Sequence, residues 1–460
     1  MSALWTSDEA EVATLGHASE SFSSTGISID TRSLKAGDLF VALKGDARDG
    51  HDFVHAAFEA KASAALVSHK PDGAVGTVLT VAHVQRGLED LGRAARARSH
   101  AKIIAVTGSA GKTTTKEILR LAFGALGNTH ASASSYNNHW GVPLSLASMP
   151  RETEYGVFEV GMNHFGELRN LVSFVRPHVA LITTIAPAHL EFFGNCEAIA
   201  DAKSEIFEGI LPGGTAIIPA DSVYAARLSS RAKQAGVTRV LSFGRKGADA
   251  KLLDVQENEA GMKVESEIMG RRVDFRVGAH GDHIAGNAIG ALLCVAAVEG
   301  DVLNAAAALS AFSALKGRGA RFRVKAKTGT AEVIDESYNA NPASMTAALA
   351  LLGSAKAKRR IAVLGDMLEM GPDGASHHAA LARDVDAARV DLVYANGTQM
   401  KSLWDVLPAS RRGRYGVASS DIAATIADSL QDGDVVLVKG SLGSRMAVVI
   451  DALKARGLAV

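Results

Sequence analysis

The chain has 460 residues, 47% of them hydrophobic and 21% charged, and its 49 lysines and arginines balance 49 aspartates and glutamates. That length is too great for one ordinary core and points to roughly two to four domains, and the composition excludes a disordered chain. A net charge of zero argues against a nucleic-acid coat or a binder of anionic membranes, which would be basic.

The N-terminus carries Asp8, Glu9 and Glu11 without an apolar run, so no signal peptide is expected. Residues 26–33 alternate and then turn, 37–43 read as a turn and a strand, and 44–53 as a polar loop. A helix is predicted over 54–61, a strand over 64–67, and a basic amphipathic helix over 84–99. The charge run at 93–98 is expected to be a solvated helix face.

From 102 to about 315 strands and helices alternate, as in a parallel α/β domain. Strands are predicted at 103–106, 156–160, 179–183 and 215–218, and alanine-rich helices at 288–299 and 302–312. The longest apolar run, about 291–298, is far too short to span a membrane. Gly317-Arg318-Gly319-Ala320-Arg321 reads as a hinge. From 323 the alternation restarts, with strands predicted at 332–335, 360–364, 392–395 and 435–438. The fold class expected is α/β in three domains. These are a small N-terminal α/β domain (1–99), a central P-loop parallel-sheet ATPase domain (100–317) and a C-terminal Rossmann-like doubly wound domain (318–460). Cys196 and Cys294 make no disulfide framework, and no Cys/His cluster has zinc spacing. A cytoplasmic, monomeric enzyme with small-molecule substrates and no nucleic-acid or membrane partner is expected.

The stretch richest in chemistry is 103–117. After the apolar strand come Thr107-Gly108-Ser109-Ala110-Gly111-Lys112-Thr113-Thr114-Thr115 and then a helical pattern. Small residues let backbone N–H groups close around phosphate oxygens at a helix N-terminus. Lys112 is expected to neutralise the outer phosphates of a nucleoside triphosphate, and Thr113 to hold Mg²⁺. Val106 stands where the standard eight-residue motif has glycine, so the loop is the shorter form.

Glu159 ends an apolar strand and reads either as a second Mg²⁺ contact or as a solvated strand-end acid. On the residues alone, His189 is a surface or core histidine and Lys203 a solvated helix lysine. Asn137 and Asn138 lie in a polar, aromatic loop at 134–143, either a plain turn or a set of amides facing a polar substrate. Three more loops follow predicted strands. Asp335, Tyr338, Asn339 and Asn341 at 335–342 suit ribose hydroxyls and a small zwitterion, and a second loop spans 365–371. Lys439, Ser441 and Arg445 at 439–446 set two cations in a glycine-rich turn suited to a carboxylate. Each of the three is also compatible with an ordinary turn.

Together these stretches resemble the Mur ligases, the ATP-dependent amino-acid ligases of peptidoglycan precursor synthesis, over nearly the whole chain from Ser28 to Met446. T-G-S-x-G-K-T-T-T-K-E at 107–117 and A-H-L-E at 188–191 are similar to the general family pattern. Four longer motifs resemble the branch that joins D-alanyl-D-alanine to UDP-N-acetylmuramoyl-tripeptide. They are E-V-G-M-N-H-F-G-E-L at 159–168, D-x-S-Y-N-A-N-P-x-S-M at 335–345, G-D-M-L-E-M-G at 365–371 and K-G-S-L-G-S-R-M at 439–446. The Asp-Asn-Pro-Arg element typical of the sister ligase that adds the third residue is missing from the last domain.

The resemblance implies that Gly108, Ser109, Ala110, Gly111, Lys112, Thr113 and Thr114 hold ATP, and that Thr113, Glu159 and His189 hold Mg²⁺. It implies that Lys203 is carbamylated by CO₂, which makes it an anion able to sit near two cations and a member of the metal-binding set that helps position them, and that Lys112, Lys203 and His189 are catalytic. Asn287 matches an adenine contact, while Arg318 and Asp335 match residues reaching ATP from the hinge and the third domain. Thr31, Arg32 and Ser33, with Asp49, Gly50 and His51, match segments that hold the UDP-sugar. Asn137, Asn138, Tyr338, Asn339, Asn341, Lys439, Ser441 and Arg445 are expected to bind the peptide substrates. Two departures stand out. The family often has Gly-Asn-x-Asn-Asn-x-Ile-Gly where this chain has Ser135-Tyr136-Asn137-Asn138-His139-Trp140-Gly141, and His283-Ile284 replaces a common His-Asn pair.

The implied reaction is a two-step acyl transfer, with an acyl phosphate formed from ATP and then attacked by the dipeptide amine. Closure about Gly317 and Gly319 is expected to exclude water from that intermediate. No base for the incoming amine is legible. Alternatives are another amide ligase of the same fold, tripeptide-forming or folate-type, a P-loop nucleotide switch, or a module binding the UDP-sugar alone.

Overall fold

The computed structural model describes residues 3–133, 135–246, 249–258 and 260–459, so Ser134 of the asparagine loop lies outside the described residues. Three large sheets organise the chain, with a two-stranded pair, Trp5–Thr6 and Ser23–Ser24, as a fourth. The first runs His17–Ala18, Val78–Thr80, Ala64–Val67, Asp38–Val41, Gly26–Ser28, with all but the first pair parallel. Val84, Leu88, Leu91 and Ala95 form one stripe of the helix Val84–Ala97 and bury against one face of this sheet. The helix Val54–Glu59 covers the other face.

The charge run on that first helix is not a solvated face. Only Arg93 behaves so, half exposed and paired with Asp90 at 2.7 Å. Arg96 is buried, and its Nε and Nη2 each donate at 2.8 Å to the carbonyls of Val175 and Arg176. Those carbonyls end the helix Glu167–Val175 and have no partner further along it, so the guanidinium satisfies and charge-balances a helix C-terminus. Arg98 lies over the Trp5 ring at 4.0 Å, and burial pulls its guanidinium down to about 10. Sequence periodicity could not show that a second helix occupies the space where solvent was expected. Trp5 Nε1 also donates to Ala147 O at 2.9 Å, and Leu144 and Ala147 complete the core of the first unit.

The central sheet has nine strands in the order Arg271–Val277, Gly261–Ile268, Ala250–Asn258, Arg239–Gly244, Thr215–Pro219, Val179–Ile182, Lys102–Thr107, Tyr155–Glu159, Thr129–Ala131. The expected parallel order holds for seven of them, and the two at the far edge are antiparallel. Ile268 and Arg271 are joined only by Met269 and Gly270, both at positive φ. That is the geometry of a two-residue hairpin, too short for a parallel crossover. Ile104 and Val106 pack on one face of the sheet and Ile103 and Ala105 on the other, so the strand before the phosphate loop is buried on both sides. The helix Asp282–Ala297 begins six residues before the predicted start, because Asp282 and His283 in its first turn interrupt the apolar run. The next helix, Val302–Ala308, is shorter than predicted and ends in a 3₁₀ turn.

The third sheet runs Arg412–Gly416, Leu392–Asn396, Arg359–Gly365, Asp434–Lys439, Thr330–Glu336, Ala320–Lys325, Leu458–Ala459. Its first five strands are parallel and the last two antiparallel. The loops after Thr330–Glu336, Asp434–Lys439 and Arg359–Gly365 therefore leave neighbouring strands side by side, at the carboxyl edge where open α/β sheets bind ligands. Asp335, 1% exposed, clasps the junction to this unit. It accepts from Gly317 N at 3.0 Å through its carboxylate and from Gly319 N at 2.8 Å through its carbonyl. Among the described residues no helix is long and apolar enough to cross a membrane.

Replacing Arg96 with alanine leaves two helix-end carbonyls unpaired, one buried and one part-buried, and is expected to destabilise the protein by about 2–3 kcal/mol, whereas Arg93→Ala, at a half-exposed ion pair, costs below about 1 kcal/mol. Urea denaturation of the two variants side by side checks the contrast; equal midpoints would refute the capping role.

Candidate active site

The loop at 108–111 leaves the central strand and leads into the helix Lys112–Gly124. Gly108 sits at φ 154°, where a Cβ would fall 1.9 Å from Thr183 Oγ1, so only glycine fits. The next strand braces the turn. Thr183 Oγ1 donates to Ala110 O at 2.6 Å, Ser109 N to Thr184 O at 2.9 Å, and Ser109 Oγ to Ala186 O at 2.8 Å. Lys112 folds back to donate to Gly108 O at 2.8 Å. Burial lowers its ammonium below the usual lysine range, countered by Glu159 and reinforced by Arg318. The Gly111 Cβ position lies 2.9 Å from Asn287 Nδ2, so the buried asparagine packs directly on the loop.

Glu159, 1% exposed at its strand end, accepts from Thr113 Oγ1 at 2.8 Å and from Asn137 Nδ2 at 2.6 Å. The bond to Asn137 and the approach of Ser135 Oγ to Thr113 Oγ1 at 3.4 Å bring the asparagine loop to the phosphate loop. Arg318 Nη2 donates to Ser135 Oγ at 3.3 Å, and its guanidinium lies 4.0 Å from the Tyr338 ring centroid. Asn341 caps the helix Pro342–Ser354 and donates from Nδ2 to Ser109 O at 3.1 Å, joining the third unit to the phosphate loop. Around these contacts is a cavity of about 640 Å³. Its walls include Ser109 to Thr114, Asn137, Glu159, His189, Asn287, Arg318, Tyr338, Asn339, Asn341 and Lys439. Phe243, Leu252 and Ile284 make one end apolar. That size and mixture of surfaces suit a small polar molecule with one flat apolar end.

His189 has φ 56° and its Nδ1 lies 2.5 Å from Glu369 Oε2. That hydrogen bond, against partial burial, keeps the Glu369 carboxyl below the usual range. Lys203, 1% exposed, has no hydrogen bond or ion pair among the described residues. Burial, with the Lys112 charge nearby, holds its amine well below the usual lysine range.

Models of three Mur domains match the sequence: "Mur ligase family, catalytic domain" at 23–122, "Mur ligase middle domain" at 106–295 and "Mur ligase, glutamate ligase domain" at 320–442. A UDP-N-acetylmuramoyl-tripeptide–D-alanyl-D-alanine ligase of Rickettsia prowazekii is 32% identical over 450 residues, covering 97% of this chain and 99% of that protein. The chain belongs to the Mur ligase family. The Escherichia coli ligase of the same name is 32% identical over 94% of both chains. A crystal structure of MurF from Acinetobacter baumannii superposes with a TM-score of 0.85 at 29% identity, over 98% of this chain and 99% of that one. MurF from Thermotoga maritima, solved in complex with ADP, gives 0.77 at 25% identity over 94% and 97%.

The expected Mg²⁺ donors of this Mur ligase include a hydroxyl and a carboxylate rather than a cluster of acids. Among the described residues no three His, Cys, Asp or Glu side chains gather to hold a metal by themselves. Thr113 Oγ1 and a Glu159 oxygen, 2.8 Å apart beside the phosphate loop, fit an ion held by one carboxylate, a hydroxyl and phosphate oxygens, the usual Mg²⁺ arrangement.

Several expected site residues lie elsewhere. Asp335 is spent on the junction and Ser337, and does not line the cavity. Asn138 caps its own turn by accepting from Trp140 N and Gly141 N. Ser441 is buried beneath the cavity, accepting from Leu368 N at 3.0 Å, and Arg445 is exposed at φ 51° outside it. Thr31, Arg32 and Ser33 sit on the first unit, where Arg32 pairs with Asp30 at 2.5 Å. Asp49 accepts from His51 Nδ1 at 2.7 Å, and His51 stacks on His69 with centroids 4.5 Å apart. Gly50 is pressed against the backbone of Ala42 and Leu43. None of these first-unit residues lines the cavity. Glu369, Glu336 and Thr183 were missed as site residues. Glu369 and Glu336 stand in motifs already noticed, but only the fold shows that Glu369 reaches His189 and that Glu336 lines the cavity.

Glu159→Gln keeps the shape of the carboxylate and removes its charge. It is expected to raise the Mg²⁺ concentration for half-maximal ATP turnover at least about tenfold, measured by Mg²⁺ titration at fixed ATP; an unchanged titration would remove Glu159 from the metal site.

Proposed function

We propose that this chain joins D-alanyl-D-alanine to the terminal carboxylate of UDP-N-acetylmuramoyl-tripeptide, with ATP cleaved to ADP and phosphate, in the cytoplasm. The observation that carries this reading is the single cavity in which a phosphate loop and a strand-end carboxylate face loops from the carboxyl edge of the third sheet. The close similarity to ligases of that name supports the choice of substrates.

A carboxylate is a poor electrophile toward an amine, and phosphorylation supplies it with a leaving group. The tripeptide carboxylate attacks the γ-phosphorus of ATP, ADP departs, and an acyl phosphate remains. The dipeptide amine then attacks the acyl carbon, loses a proton, and expels phosphate. Lys112 and the N–H groups of the phosphate loop hold the ATP phosphates and offset repulsion between two anions. Thr113 and Glu159, with His189, hold Mg²⁺, which when bound neutralises phosphate charge. The apolar end beside Asn287 receives the adenine. Tyr338, Asn339, Asn341 and Lys439 serve the dipeptide side, and the first unit, with Arg32 and His51, holds the UDP-sugar. We assign Lys203 as a carbamate. An isolated buried ammonium costs a great deal, a depressed pKa leaves more neutral amine to add CO₂, and the product anion sits favourably near Lys112.

Phosphate release is expected to require both the UDP-tripeptide and D-alanyl-D-alanine, with a pentapeptide product by mass. Release indifferent to the dipeptide would sink the ligase reading and promote a nucleotide switch. Lys203→Ala is expected to lose at least about a hundredfold in kcat and to recover partly when a short carboxylic acid is added, since the acid replaces a missing anion; no recovery would leave the carbamate unsupported.

A further inference from the structure

The contact between His189 and Glu369 spans 180 residues and joins the central unit to the third. Both residues lie at positive φ, 56° and 61°, a conformation that non-glycine residues hold only when their surroundings impose it. The surroundings are reciprocal. Glu191 N donates to Glu369 O at 3.2 Å, the Gly371 Cβ position lies 3.4 Å from Glu191 Cα, and Leu190 packs against the core of the third unit. The loop at 365–371 thus seats on the turn that carries His189, and Glu369 puts its carboxylate on the ring nitrogen.

We infer that Glu369 is a positioning residue that orients His189 for the metal only when the third unit is docked. Ring nitrogens that bind metals are commonly oriented by a carboxylate on the other nitrogen, which sets the tautomer and the ring plane. Here Nδ1 is engaged by Glu369, which leaves Nε2 for the cavity that His189 lines. The orienting carboxylate comes from a different unit than the histidine. Opening about 317–319 would withdraw it and leave the ring free to turn. The metal site is then whole only in the closed form, so phosphoryl transfer waits for the unit that, on the proposed function, carries the dipeptide. Glu369 is 43% exposed, so its removal need not disturb a core.

The test is Mn²⁺ binding to the full chain with the non-hydrolysable ATP analogue AMPPCP, followed by the electron paramagnetic resonance of free Mn²⁺. Small-angle scattering is recorded on the same samples. Glu369→Ala is expected to weaken Mn²⁺ binding about 10- to 100-fold at an unchanged closed scattering profile, with Glu369→Gln in between. Adding Glu369→Ala to His189→Asn is expected to cost nothing further, since the carboxylate acts through the ring. Unchanged Mn²⁺ affinity in Glu369→Ala would overturn the inference. So would a loss accompanied by an open profile, which would make Glu369 a domain clasp only, or additive losses in the double variant. The samples contain neither peptide substrate, so the result stands apart from whether the ligation assay yields a pentapeptide.

Discussion

A buried negative charge sets the terms for this molecule. Glu159 is nearly inaccessible, and the partners that touch its carboxylate, the Thr113 hydroxyl and the Asn137 amide, are both neutral. A carboxylate out of water without a cation is costly, and hydrogen bonds to neutral donors return only part of that cost. The same cavity holds cations in Lys112 and Arg318, and Lys203, buried outside its lining, lies close enough to feel the Lys112 charge. Charges of both signs are thus kept near one another without being neutralised in pairs. Such a site binds a polyanion together with a divalent cation better than either alone.

The rest of the architecture keeps those charges in place. The loop at 135–141 does most of it. Its Ser135 reaches Thr113 and Arg318, its Asn137 reaches Glu159, and its Tyr136 and Trp140 pack on the core of the first unit. Gly161 N donates to Asn137 O at 2.8 Å, which pins the loop to the end of the Glu159 strand. A seven-residue loop therefore touches the first unit, the phosphate loop and the junction to the third unit at once.

Much of this was legible because local chemistry leaves a local trace. The phosphate loop, its strand and the strand ending at Glu159 could be read from apolar runs bounded by small or polar residues. The loops at 335–342, 365–371 and 439–446 announced themselves by composition, although Asp335 proved to hold the junction and Arg445 to face solvent. What stayed hidden depends on distant residues. Arg96 looked like surface because its acceptors lie about 80 residues away. The edge hairpin at 261–277 alternates apolar and charged residues, but alternation does not give a strand's direction, which is set here by a two-residue turn. Glu369 could be noticed but not placed, since its partner is 180 residues distant.

The arginine on the helix end carries a mechanical consequence. Arg96, Trp5 and the shared core at Leu144 and Ala147 bolt the first unit to the central one. The third unit hangs from a short clasped linker and touches its neighbours mainly through polar side chains at its rim. The seam between the first two units is thus a packed core, and the seam to the third a polar rim around a linker. A packed core resists sliding, so the His51 surface of the first unit and the phosphate loop are spaced like the two jaws of a fixed gauge. A polar rim parts more easily than a core, so a compound wedged beneath it would hold the third unit off its seat without entering the phosphate loop.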